Sequence, residues 1–270
     1  MIPMSFDYER PETADGALQL LAEHGDDAKL LAGGHSLLPL MKFRLATPEV
    51  LIDVGRLTEL SYVRVDGDAV AIGALTRHCE LTDSGVLQTE APLIAHAAGL
   101  VGDPQVRHRG TIGGSISHGD PASDLPTAVL ATGAVLVVRG PNGTREIDAA
   151  DFFVGFLETA LEPDELLVEI RVPRAAGVGW AYEKFVRRSN DWAIVAAAAV
   201  DGRVALANMG GTPLRATATE RALADGADTR AAADLAAEDT SPVADMHAGV
   251  EYRKHLARLL TRRALDRAAS

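Results

Sequence analysis

Apolar positions change period several times along this chain, and the changes outline an α+β fold. Between Pro11 and His24 the residues Ala14, Ala17, Leu18 and Leu21 recur at helical spacing, with Pro11 suited to a first turn and Gly25 to a stop. Two short apolar runs, Lys29 to Ala32 and Val50 to Val54, read as strands on either side of a helical segment, Ser36 to Arg44, that Pro39 interrupts. Small and β-branched residues predict further strands at Tyr62 to Val65, Ala69 to Ala74 and Ala134 to Val138, with Asp66-Gly67 and Asn142-Gly143 as hairpin-type turns. Pro92 to Val101 reads as a helix. Gly102 to Pro126, rich in Gly, Ser, Asp and Pro, shows no period and is predicted to be a long loop, a kind of segment that usually binds or links.

Beyond Pro173 the pattern changes. Trp180 to Val186, Ala193 to Val200 and Arg203 to Ala207 predict a three-stranded antiparallel sheet, closed at Asp201-Gly202. Thr217-x-x-Glu220 has capping-box spacing ahead of an alanine-rich helix, and Gly249 to Ala268 carries Leu256, Leu259, Leu260 and Leu265 against four arginines as a last helix. These shifts divide the chain into residues 1–55, 56–173 and 174–270. No internal repeat appears.

Composition removes several function classes. A net charge of −12 works against nucleic acid, whose affinity is built mostly from cations on phosphates. The single cysteine, Cys79, permits no intrachain disulfide and no iron–sulfur cluster held by this chain alone. The longest apolar run, Trp192 to Val200, is far below the roughly 20 residues of a membrane span, and the first residues lack secretory-signal character, so a cytoplasmic protein is expected. Hydrolytic signatures are missing, and His118-Gly119-Asp120 reads as an Asx-type turn rather than a metal site.

What remains is two glycine pairs, Ala32-Gly33-Gly34-His35-Ser36 and Thr111-Ile112-Gly113-Gly114-Ser115. Residues without a Cβ let a ligand approach the main chain, and successive N–H groups can converge on an anion. Neither segment has the Walker or the Gly-x-Gly-x-x-Gly spacing, so a P-loop and a Rossmann domain are disfavoured. With no nucleophile and no metal ligands in view, a bound redox cofactor is the economical source of chemistry.

These motifs resemble the two FAD pyrophosphate-binding segments of the flavoprotein (medium) subunits of molybdenum hydroxylases, the family of carbon monoxide dehydrogenase and xanthine dehydrogenase. The likeness extends through Phe6-Asp7-Tyr8, Leu51-Ile52-Asp53-Val54, His118-x-Asp120-Pro121, Phe152-Phe153-x-Gly155, Gly211-Thr212-Pro213-Leu214-Arg215 and Tyr252-Arg253. It implies a vanillyl-alcohol-oxidase/PCMH-type FAD-binding domain of two α+β subdomains, followed by a carbon monoxide dehydrogenase flavoprotein C-terminal domain. It further implies non-covalent FAD held by Ala32, Gly33, Gly34, His35 and Ser36 and by Thr111, Gly113, Gly114 and Ser115. Asp124 would meet the ribityl or adenosine side, Leu167 would touch the flavin or adenine, Lys184 would lie near the flavin, and Trp192 would stand against the ring where relatives often carry tyrosine. By the same resemblance, molybdopterin and 2Fe-2S centres reside on partner subunits, in a dimer of heterotrimers. A free-standing flavin oxidase or reductase and a non-catalytic assembly protein are the alternatives.

Overall fold

The computed structural model describes residues 2–270. Strands β1 (Asp7–Glu9), β2 (Ala28–Leu31) and β3 (Val50–Asp53) form a parallel sheet in the order β1-β3-β2. Parallel neighbours need crossovers, and helices Ala14–His24 and Leu37–Lys42 supply them. The first helix starts at Ala14 rather than Pro11 because Thr13 caps it, its Oγ1 accepting from the Gly16 N–H at 3.1 Å. Pro39 leaves the second helix intact, since it occupies the first turn, where its missing N–H costs no bond. The first glycine pair therefore lies at the carboxyl end of β2, in the turn leading into a helix.

The second sheet comprises β4 (Val63–Asp66), β5 (Ala69–Gly73), β6 (Val135–Gly140) and β7 (Gly143–Asp148); a small hairpin of β8 (Phe153–Gly155) and β9 (Glu158–Thr159) precedes its last strand, β10 (Leu166–Pro173). Its order is β4-β5-β10-β6-β7, antiparallel throughout. The stretch predicted as one long loop is largely helical: Pro104–Arg107, Ile112–His118 and the beginning of Asp124–Thr132 fall within it. Local caps overcome the poor helix propensity of its glycines. Asp103 Oδ1 accepts from Val106 N at 3.0 Å, and Thr111 Oγ1 accepts from Gly114 N at 3.1 Å. Asp120 does close an Asx turn, accepting from Ala122 N at 2.8 Å.

The third sheet is antiparallel and runs β11 (Trp180–Phe185), β12 (Val195–Val200), β13 (Arg203–Ala207) and β14 (Leu214–Arg215); the two-residue β14 is a fourth strand beyond the three expected. In β12, Val195, Ala197 and Ala199 pack beneath helix Val250–Ala268, while Ala196, Ala198 and Val200 join the core that contains helix Asp124–Thr132. Alanine is a weak strand former, but helices covering both faces leave room for little more. The capping box predicted at Thr217 does not form. Helix Thr217–Ala224 has no side-chain cap, and the Glu220 carboxylate instead accepts from Val204 N at 2.7 Å and from Arg215 at 2.5 and 2.6 Å, tying the helix to β13 and β14. Among the described residues no helix is long and apolar enough to cross a membrane.

Candidate cofactor-binding site

The two glycine turns meet. A Cβ built on Gly33 would fall onto the carbonyl of Arg109 and within 2.9 Å of the Gly110 Cα, so the first turn packs directly on the chain entering the second. Gly113 is glycine for a similar reason, since its Cβ would lie 2.6 Å from the Ala74 Cβ and carbonyl oxygen. Gly34 adopts φ 77°, which L side chains avoid. Gly114 differs from these three. It is exposed, its conformation is helical, and a Cβ there would meet only its own cap, Thr111 Oγ1 at 2.8 Å, and the Ala32 Cβ at 3.8 Å across the gap.

The turns divide their labour unequally. Among the described residues, the backbone N–H groups of Gly33, Gly34, His35 and Ser36 find no acceptor in the chain. Successive free donors of this kind can converge on an anion. In the second turn the amides are committed: Ile112 N–H donates to the Thr76 carbonyl at 3.1 Å, Gly113 to Ala74 at 2.8 Å, Gly114 to the Thr111 hydroxyl, and Ser115 to the Thr111 carbonyl at 3.0 Å. What it presents to the gap is the bare Gly114 surface and the half-buried Ser115. Free main-chain donors are thus found in the first motif, while those of the second are paired within the chain.

Cations gather here although the protein is acidic. Arg77 is half-buried beside Arg109, and burial followed by that neighbouring charge lowers its pKa. Such clustering, four free amides and a residue with no Cβ suit a diphosphate. They fit FAD better than a neutral ligand.

Sequence comparison agrees with this geometry. Residues 4–175 match the profile described as the FAD binding domain in molybdopterin dehydrogenase, and residues 180–268 match the CO dehydrogenase flavoprotein C-terminal domain. The chain is 45% identical to the carbon monoxide dehydrogenase medium chain of Hydrogenophaga pseudoflava, over 99% of this chain and 98% of that one. To the corresponding chain of Afipia carboxidovorans it is 42% identical, with the same coverages. A solved carbon monoxide dehydrogenase from Hydrogenophaga pseudoflava, lacking the Mo-pyranopterin moiety of its cofactor, superposes with a TM-score of 0.96 at 46% identity, covering 100% of this chain and 99% of that one. The chain belongs to the FAD-binding flavoproteins of the molybdopterin dehydrogenases.

In this flavoprotein the remaining sequence-derived residues fall into separate places. Asp124 and Lys184, 60 positions apart, meet at 2.7 Å with side chains 6% and 8% exposed. Asp124 is the first residue of its helix, whose cap position is Ser123. Its second oxygen accepts from the buried Tyr182 hydroxyl at 3.0 Å, and Lys184 also donates to the Leu100 carbonyl at 3.3 Å. Burial pushes the Asp124 carboxyl upward while Lys184 draws it back, and burial drives the Tyr182 phenol well above its ordinary range. Helix Ile112–His118, which begins with the second turn, packs on the helix of Asp124.

Trp192 is 58% exposed in the turn between β11 and β12. That turn is anchored by residues to which the sequence reading gave no role. Asn208, at φ 59°, donates through Nδ2 to the Ala193 carbonyl at 2.8 Å and through its N–H to Pro121 at 2.7 Å, while the buried Arg253 donates to the Ile194 carbonyl at 2.5 Å and pairs with Asp245 at 2.6 Å. A left-handed Asn at a strand end was the available signal. Leu167 lies in the core opposite Val138, 3% exposed, on the strand that packs against helix Ile112–His118.

His78 is a second unpredicted feature of the site. Its Nδ1 has no partner among the described residues, its ring edge fills the space a Cβ on Gly110 would need, and its pKa is lowered to about 4 by burial and by the nearby His35, Arg77 and Arg107. The folded state thus refuses a proton that the unfolded chain accepts, so stability is complete above about pH 6.5 and falls as pH drops toward 4. A shift of that size is worth about 3 kcal/mol. Denaturant titrations of the flavin-free chain at pH 7 and 4.5 should show this loss, and His78→Gln should flatten it; an unchanged pH slope in the variant would remove His78 as its source.

Proposed function

We propose that this chain is the FAD-bearing medium subunit of a heteromeric molybdenum hydroxylase, an oxidoreductase in which electrons arrive from a 2Fe-2S subunit and leave to an external acceptor. The observation that carries the reading is the row of free amides at residues 33–36, in the turn that begins at Ala32 across from the bare Gly114. Bound FAD supplies the ability to accept electrons singly and release them in pairs. The chain itself binds and orients. Gly33, Gly34, His35 and Ser36 hold one side of the diphosphate through amides, with Ala32 and Gly114 lining the gap and Ser115 adding its hydroxyl; Thr111 and Gly113 fix the second turn in place. Asp124, kept in position by Lys184 and Tyr182, faces the ribityl or adenosine side, and Trp192 limits access to the ring.

The molybdopterin centre resides on a large partner subunit, where the substrate is chosen, and the assembly is a dimer of heterotrimers in the cytoplasm. Residues 1–55 and 56–173 act as the two halves of the flavin unit, with 174–270 closing it. Likeness to carbon monoxide dehydrogenase medium chains over nearly full length supports this reading. The purified protein should carry a yellow chromophore, bleached by dithionite and released by acid as free FAD. A colourless protein that added FAD does not colour would overturn the assignment.

A further inference from the structure

Between the two glycine turns stands a side chain to which the FAD reading gives no task. Arg77 precedes helix His78–Asp83, its N–H held by the Glu80 carboxylate at 2.7 Å. Its guanidinium reaches in two directions. Nη1 donates to the Arg109 carbonyl, and Nη2 donates to the Gly55 carbonyl at 3.3 Å. Arg109 is the residue on which Gly33 rests, two positions before Thr111. Gly55 follows β3, and a Cβ there would lie 3.2 Å from the Ala32 carbonyl, so it borders the first turn. Gly55 is itself fixed by Asp53, whose Oδ1 accepts the Gly55 N–H at 2.8 Å and whose Oδ2 accepts the Tyr8 hydroxyl. One planar cation thereby ties the strand end beside the first turn to the segment that enters the second. The backbone around position 77 is fastened too: Arg77 and Thr111 form an isolated antiparallel bridge, and His78 N–H donates to the Gly110 carbonyl at 3.0 Å.

From this geometry we propose that Arg77 is a positioning residue for the cofactor's diphosphate, setting the separation of the two glycine turns by clasping the carbonyls of Gly55 and Arg109. A guanidinium suits the role because its donors diverge in a fixed plane and it stays charged. Both carbonyls accept from it, and its charge adds to the field of the free amides at residues 33–36. The proposal rests on the FAD reading of those turns.

The test uses the assembled complex with its molybdenum and iron–sulfur subunits, stripped of flavin and titrated with FAD, with ADP as a diphosphate probe and with riboflavin as a probe that has no phosphate. Arg77→Met should weaken FAD and ADP by the same factor, roughly 10- to 100-fold for two lost charge-assisted bonds, and leave riboflavin unchanged. Arg77→Lys, whose single ammonium reaches one carbonyl at a time, should recover about half of that loss on a logarithmic scale. Unaltered FAD and ADP binding in Arg77→Lys and Arg77→Met, or an equal penalty on riboflavin, would overturn the clasp. Should Arg77→Met not assemble, the Arg77→Lys titration decides alone. Gly114→Val separates the two ideas: if it loses FAD while the Arg77 variants keep it, only the clasp falls, and if it too binds FAD normally, the reading of the turns falls with it.

Discussion

Gly114→Val should yield an assembled complex almost free of flavin. The other three glycines of the two motifs cannot deliver so clean a result. Side chains on Gly33 or Gly113 would press on the backbone of Arg109 and Ala74, and one on Gly34 would force a branched residue to φ 77° while its Cβ met Leu38 Cδ1 at 2.9 Å. Each would damage the fold before it touched a ligand. Gly114 has open space on its outer side, and the chain needs its lack of a Cβ only to the extent that Thr111 Oγ1 must rotate away, a cap loss of about 1 kcal/mol. Two γ-methyls pushed into the gap toward Ala32 would occupy the volume of a phosphate. Overpacking of that kind costs roughly 1–3 kcal/mol, up to about two powers of ten in affinity. Absorbance at the flavin band relative to protein, followed by reconstitution with excess FAD, measures it. Full occupancy in the variant would mean that no diphosphate lies between the turns.

Lys184→Met carries the largest expected cost in stability. With Asp124 and Lys184 both nearly excluded from water, removing the cation leaves a carboxylate whose only side-chain donor among the described residues is Tyr182. Breaking a buried pair in this way typically costs about 3–5 kcal/mol, whereas replacing both partners costs far less. The double variant Asp124→Asn/Lys184→Met should therefore be more stable than Lys184→Met alone, and the four proteins of the cycle give a coupling energy. Since burial raises the Asp124 carboxyl, the orphaned residue should take up a proton and the single variant should lose least at low pH. A double variant no more stable than Lys184→Met would show that the orphaned carboxylate carries no penalty.

Much of this was legible in the sequence, for reasons particular residues make plain. Helix Ala14–His24 and the hairpin of β12 and β13 declared themselves by period and by Asp201-Gly202. The glycine pairs were visible because each follows a small or apolar residue and is left through a serine within two positions. Capping was underread: Asp103-Pro104 and Thr111 each open a helix inside the stretch predicted to be a loop, hidden by glycines that depress helix propensity. Conversely, Thr217-x-x-Glu220 had the right spacing for a cap, but tertiary partners Arg215 and Val204 claimed the glutamate. Asp124 and Lys184 were each singled out, yet their contact, like the grip of Arg77 on Gly55 and Arg109, joins segments tens of residues apart, and no local pattern encodes it.

The alanine strand β12 has an implication for inheritance. Its two faces belong to two different interiors: one core lies wholly beyond Arg174, while the other is shared with the part before it, which without β12 lacks a wall. Cutting between them would strip the cover from Asp124 on one fragment and bare a row of methyl groups on the other. Matched by two separate profiles, the halves nonetheless share one interior, so a change on either side of the boundary has to keep that common packing.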